Sequence, residues 1–103
     1  MITINGVKWE IRFVSPIHPS LKRSDGVYAL GCCNDIDKTI YITNDIKDFY
    51  MKKVLCHELT HAAMFSYDIY LSCEQEELVA DIIATYGDEI IHMANDIFIR
   101  LKE

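Results

Sequence analysis

The 103-residue chain contains no apolar run near the ~20 residues that a membrane-spanning helix needs. Its first ten residues, Met1 to Glu10, lack both a cationic start and an apolar stretch, so they do not read as a secretory signal. Basic residues are in the minority. Ten Lys and Arg against sixteen Asp and Glu leave a formal charge of −6, which argues against a general nucleic-acid role, since that would call for a basic face. Repeats, low-complexity tracts and long charge blocks are also missing. Residues 1–103 are therefore expected to form a single domain, with half of them apolar and a correspondingly small core. Cys32, Cys33, Cys56 and Cys73 match neither zinc-ribbon nor redox spacing. Without a secretory signal they imply a reducing, cytoplasmic setting and buried, unpaired thiols, with Cys32 and Cys33 on opposite faces of a strand.

What the chain does have begins with strand patterns. Ile2-Thr3-Ile4, the turn pair Asn5-Gly6 and Val7 through Val14 read as a hairpin, with Trp9, Ile11 and Phe13 alternating along its second arm. Pro16, Pro19 and the polar run Lys22 to Gly26 mark a surface loop. Val27 to Cys33 and Thr39 to Thr43 are expected to pair antiparallel around Asn34 to Asp37. The pattern then turns helical: residues 46 to 65 lack Gly and Pro, and Tyr50, Met51, Val54, Leu55, Leu59, Ala62 and Ala63 recur at helical spacing. Thr43, Asn44 and Asp45 offer capping oxygens before this helix, and Asp45 and Asp48 suit its positive end. A second helix is predicted from Ser72, which with Gln75 forms a capping box, to a C-terminal Gly87. In a last helix, Asp88 to Lys102, Ile90, Ala94, Ile97, Phe98 and Leu101 form one stripe, expected to face the core. The fold class is therefore α+β: a small, mainly antiparallel N-terminal sheet packed on the first helix, followed by two further helices.

That first helix carries His57-Glu58-Leu59-Thr60-His61. Imidazoles four residues apart lie one above the other on a helix and aim at one point, where a cation such as Zn2+ accepts both neutral ring nitrogens. Glu58, turned one residue away, is poorly placed to be a third ligand but suited to act as a general base on a water. Ordinary surface histidines falling in register are the plain alternative, and the helical context weighs against it.

A third ligand is sought on the second helix. Glu77 and Asp81 are four apart and share a face, which suggests Glu77 on the metal and Asp81 holding the second ring nitrogen of a histidine. Glu74, Glu76 and Glu77 also sit where a helix dipole favours carboxylates whatever the function. Beside the upstream motif, Glu77 becomes the expected ligand, with Glu74 and Glu76 as solvated helix-start acids.

These residues resemble the gluzincin zinc peptidases. More narrowly, Val54 to Ala62 together with Glu77 to Ala84 resemble the small ImmA/IrrE-type and phage-associated metallopeptidases, the likeness covering roughly residues 38 to 87. The resemblance implies a minimal zincin-like domain with zinc on His57, His61 and Glu77, Glu58 as base and Asp81 behind a histidine. It further implies a strand at residues 27 to 33 bordering the cleft, where Gly31 allows close backbone approach or makes a bulge. The activity implied is hydrolysis of peptide bonds in a polypeptide substrate, with a regulatory protein as one candidate.

Other candidates are weaker. His18 and His92 read as solvated or ion-paired structural histidines. Tyr86 is the choice among Tyr67, Tyr70 and Tyr86 for an oxyanion donor, although tyrosines in such a chain more often serve packing. Two further functional readings stand beside the peptidase: a latent or degenerate zincin fold acting as a regulatory or binding module, held inactive by its own C-terminal segment, and an interaction protein with structural zinc. Structural zinc normally has four protein ligands, whereas three are visible here. Oligomeric state is left open.

Overall fold

The computed structural model describes residues 1–102 and is α+β, a four-stranded mixed sheet followed by helices. Strands β1 (Ile2–Ile4) and β2 (Val7–Val14) form the expected antiparallel hairpin. Asn5 and Gly6 take φ of 47° and 79°, the left-handed pair that a two-residue hairpin turn requires. Strand β3 (Gly31–Asn34) pairs antiparallel with β4 (Thr39–Thr43), so the strand expected from Val27 is shorter than the sequence suggests. Residues 27–30 instead lie in the loop, where Tyr28 bridges to Lys22 and the Ala29 amide donates to the Leu21 carbonyl.

The sheet order is β1-β2-β4-β3, and β2 runs parallel to β4. A parallel neighbour needs a long crossover, here residues 15–38, which carry a 3₁₀ turn (Pro19–Leu21) and β3 itself. Every residue of the central strand β4 is buried, because both faces of it are covered. Ile40 and Ile42 join Trp9 and Ala62 in the core beneath helix α1 (Asp48–Ser66). On the other face Tyr41 stacks on His18, whose Nδ1 accepts from the Ser20 amide, a structural role for that histidine. The hairpin is tied to the end of α1 by Trp9 Nε1 donating to Ser66 Oγ at 2.8 Å and Asn5 Nδ2 donating to the Ser66 carbonyl at 3.0 Å.

The start of α1 differs from expectation. Asp45 accepts a hydrogen bond from the Thr43 hydroxyl, so its oxygen is engaged within the strand exit, and the helix begins after an uncapped Lys47. The end of α1 is tightly built. Asp68 takes the left-handed conformation (φ 54°), while Ile69 N donates to Met64 O and Asp68 N to Phe65 O. That reversal stops the helix and folds the chain back within a few residues. The Ser72–Gln75 capping box then opens α2 (Cys73–Ile82), which returns along α1.

Gly87 does not end this helix. A π turn over Ile83–Gly87 leads directly into α3 (Asp88–Lys102), giving one long joined helix. No proline follows, and Asp88 keeps helical angles (φ −62°, ψ −46°), so the chain absorbs one extra residue instead of stopping. The second correction is larger: α3 has no buried residue, and the stripe expected to be core is exposed, Ile97 by 55% and Leu101 by 80%. Its principal packing is against the π turn it grows from, and the molecule measures 54 × 30 × 28 Å. No helix among the described residues is long and apolar enough to cross a membrane.

Candidate metal centre

Helical spacing puts His57 and His61 on one face of α1, and the short return loop brings Glu77 of α2 against them. His57 Nε2 lies 3.1 Å from Glu77 Oε2, and His61 Nε2 lies 2.9 Å from Glu77 Oε1. The two Nε2 atoms are 3.2 Å from each other. Donors bound about 2.0–2.1 Å from one tetrahedral ion stand about 3.3 Å apart, a spacing near that of the two imidazole nitrogens and of each nitrogen from its nearer Glu77 oxygen. The His-His-Glu group is therefore within metal-binding distance.

Both outer ring nitrogens also face carboxylates. His57 Nδ1 is 3.1 Å from Asp81 Oδ1, and His61 Nδ1 is 2.6 Å from Glu76 Oε1. A carboxylate can only accept there, so with a cation on the inner side each ring keeps its proton on Nδ1 and turns its Nε2 lone pair to the ion. Without one, Glu77 accepts from the inner nitrogens instead. The donor set and its outer partners thus fit a borderline divalent cation.

Glu76 is a residue the sequence reading placed wrongly. It was expected to be a solvated helix-start acid, yet its side chain is largely buried and holds His61. The signal was available: on a helix that returns along α1, positions 76, 77, 80 and 81 lie on one side, and Ala80 at their centre is fully buried. Glu74 is solvent-exposed as expected.

Glu58 lies beside β3, with its Cγ against Gly31, and is 6% exposed. Its Oε2 has no hydrogen-bond partner among the described residues. Burial pushes its carboxyl above the usual range; protonated His57 and His61 would pull it down, and Glu77 pushes it up further. A buried carboxylate oxygen without a protein partner is costly, and its environment here is a cleft that admits water.

That cleft has a volume of about 830 Å³ and is open along one side. His57, Glu58, His61 and Glu77 line it together with residues 28–33, so the edge strand β3 forms its rim. Gly31 lines the cleft and is not a bulge. It pairs regularly with Ile42, and a Cβ there would meet Glu58 Cγ and Val54 Cγ1 at 2.9 Å. The missing side chain lets α1 press against the strand at the residue next to His57.

Tyr86 is half-exposed on the π turn and does not line the cleft, whereas Tyr28 and Tyr50 do. Spacing along α2 cannot reveal this, because the π turn rotates residue 86 relative to Glu77. His92 is exposed and lies 3.6 Å from Asp96 on its own helix. All four cysteines are unpaired. Cys33 packs on the core, and burial, with Glu58 nearby, raises its thiol pKa, as it does that of Cys32. Cys73, expected to be buried, is exposed at the first position of α2.

No protein-family model, curated protein or solved structure matches this chain. The reading of the site rests on its geometry.

Proposed function

We propose that the chain is a zinc metallopeptidase of the gluzincin type, resembling the small ImmA/IrrE-like and phage-associated enzymes, and hydrolyses peptide bonds in a protein substrate. One observation carries this reading: two imidazole nitrogens and a carboxylate converge in a cleft that is also lined by Glu58, one of whose carboxylate oxygens is buried without a partner among the described residues. His57, His61 and Glu77 would hold the metal, and Asp81 and Glu76 would fix the two rings. Zinc, when bound, supplies Lewis acidity toward a carbonyl and toward water.

Glu58 accepts the proton of the attacking water and delivers it to the leaving nitrogen. Its raised affinity for protons suits both halves of that task. Tyr28 and Tyr50, as lining hydroxyls, replace Tyr86 as candidates to meet the charge developing on the carbonyl oxygen. The free edge of β3 can take an extended polypeptide as an added strand, using main-chain hydrogen bonds that are indifferent to side chains. A folded regulatory protein with one extended segment fits such an edge. The proposed setting is the cytoplasm, in line with the four unpaired cysteines.

Among the described residues, those lining the cleft come from the loop before β3, β3, α1, α2 and the π turn. The test compares the zinc-loaded chain with Glu58→Gln and Glu77→Ala on denatured protein. Glu58→Gln should keep its zinc and lose about 10²- to 10⁴-fold in rate, while Glu77→Ala should lose the metal. Full activity in zinc-loaded Glu58→Gln would exclude this mechanism. A parent that binds zinc, folds and stays inert on denatured and regulatory proteins would favour a binding or regulatory module.

A further inference from the structure

We propose that α3 is a self-association surface on which a second copy of this chain docks antiparallel. Ile90, Ala94, Ile97 and Leu101 recur at steps of four, three and four residues, with Ile91 and Phe98 seven apart beside them. This is the seam of a helix pair, and it is open: Ile90 is 53% exposed, Phe98 57% and Leu101 80%. The exposed apolar surface of the stripe, with Met93, is roughly 600 Å² per copy and about 1,200 Å² for a pair, at the lower edge of stable interfaces.

Charge sets the direction. The first turn of α3 is acidic, Asp88 and Glu89, and the last is basic, Arg100 and Lys102. Glu89 and Arg100 lie on the same flank of the stripe but are eleven residues and about 16 Å apart, too far to pair within one helix. Antiparallel pairing about a two-fold axis near residues 95 and 96 brings Glu89 of each copy beside Arg100 of the other. The same register sets Ile90 opposite Leu101 and small Ala94 opposite Ile97, with Ile91 near Phe98 on the other flank. A parallel pair would instead set the two acidic first turns at one level and the two basic last turns at another. The metal cleft is elsewhere, so the association is independent of the proposed catalysis.

Sedimentation equilibrium of the full chain in the micromolar range should return twice the chain mass. Ile97→Glu, at an exposed position in the seam, should give a monomer whose circular dichroism still reports a folded protein. Glu89→Arg should weaken the dimer about tenfold or more, and Glu89→Arg combined with Arg100→Glu should restore it. A parent that stays monomeric throughout that range overturns the proposal and leaves the stripe to a different partner or to a membrane surface. A dimer indifferent to Ile97→Glu overturns it as well, and failure of the charge exchange to rescue overturns the antiparallel register.

Discussion

The two halves of the long C-terminal helix invert the usual rule in different ways. In α2 the acids turn inward: Glu76, Glu77 and Asp81 face α1, while Leu78 is 60% exposed. In α3 the apolar stripe faces outward, and none of its residues is buried among the described residues. Both departures carry a cost in a chain of this size, the first in the largely buried carboxylate of Glu76 and the second in apolar surface left in water. Such departures from consistent patterning mark places where a site or a partner, rather than the core, decides the residue. The half packed along α1 gathers the His-His-Glu group, and the half beyond the Lys52–Asp88 ion pair with α1 presents a seam.

If α2 is defined by its inward acids, removing their charge should harm the site and leave the assembly untouched. Asp81→Asn and Glu76→Gln are each expected to weaken zinc affinity or hydrolysis roughly 10- to 100-fold, through loss of ring orientation and ligand basicity. Titration with a competing chelator measures the affinity, and sedimentation should show an unchanged mass. Glu76→Gln is the sharper of the two, because His61 and Glu76 are the more buried pair. Indifference of zinc binding to both exchanges would return α2 to the class of helices whose acids merely answer the dipole.

How legible this was in the sequence depends on the range of each cause. The Asn5-Gly6 hairpin, the Ser72–Gln75 box and the His57-Glu58-x-x-His61 register are set within a few residues, and the structure contains all three. The parallel pairing of β2 with β4 was not visible, since it depends on where a crossover of residues 15–38 lands. Glu76 was misplaced because its role exists only after α2 folds back along α1. Gly87 carried the composition of a helix end, yet the helix continues through it in a π turn that no local propensity announces. The stripe of α3 was read correctly as a stripe and wrongly as core: periodicity says that a face will be covered, not that the same chain covers it.

Gly31 tests how closely the sheet must approach the helix that carries His57 and His61, which is the other wall of the site. A Cβ at this position would lie 2.9 Å from both Val54 Cγ1 and Glu58 Cγ, and 3.3 Å from Ile42 Cδ1. Three neighbours cannot all retreat, so Gly31→Ala should destabilise by about 1–3 kcal/mol through overpacking. Because the displaced group is Glu58, hydrolysis should fall further than stability alone predicts, while dimer formation through α3 stays intact. Thermal unfolding followed beside activity reads both. A variant as stable as the parent would mean that α1 stands farther from β3 than this packing requires.

The smallest effect is expected at the joint between the halves. Gly87 lies in the π turn without a positive φ, and a Cβ there would meet only Ile83, its Cγ2 at 3.3 Å and its Cβ at 3.8 Å. Glycine inside a helix costs about 1 kcal/mol relative to alanine, because more backbone freedom is lost on folding. Against that gain stands one tight contact with the Cγ2 methyl on the branched Cβ of Ile83, which has to yield by a few tenths of an ångström and offsets part of it. Gly87→Ala should therefore stabilise by about 0.5 kcal/mol, a rise of a few degrees in Tm for a domain of this length. Zinc affinity and chain association should both be unchanged, since the substitution stiffens the connection without touching the acids of α2 or the stripe of α3. A fall in Tm would show that the Ile83 methyl cannot yield, and that glycine is held at residue 87 by packing of the π turn and not merely tolerated between two helices.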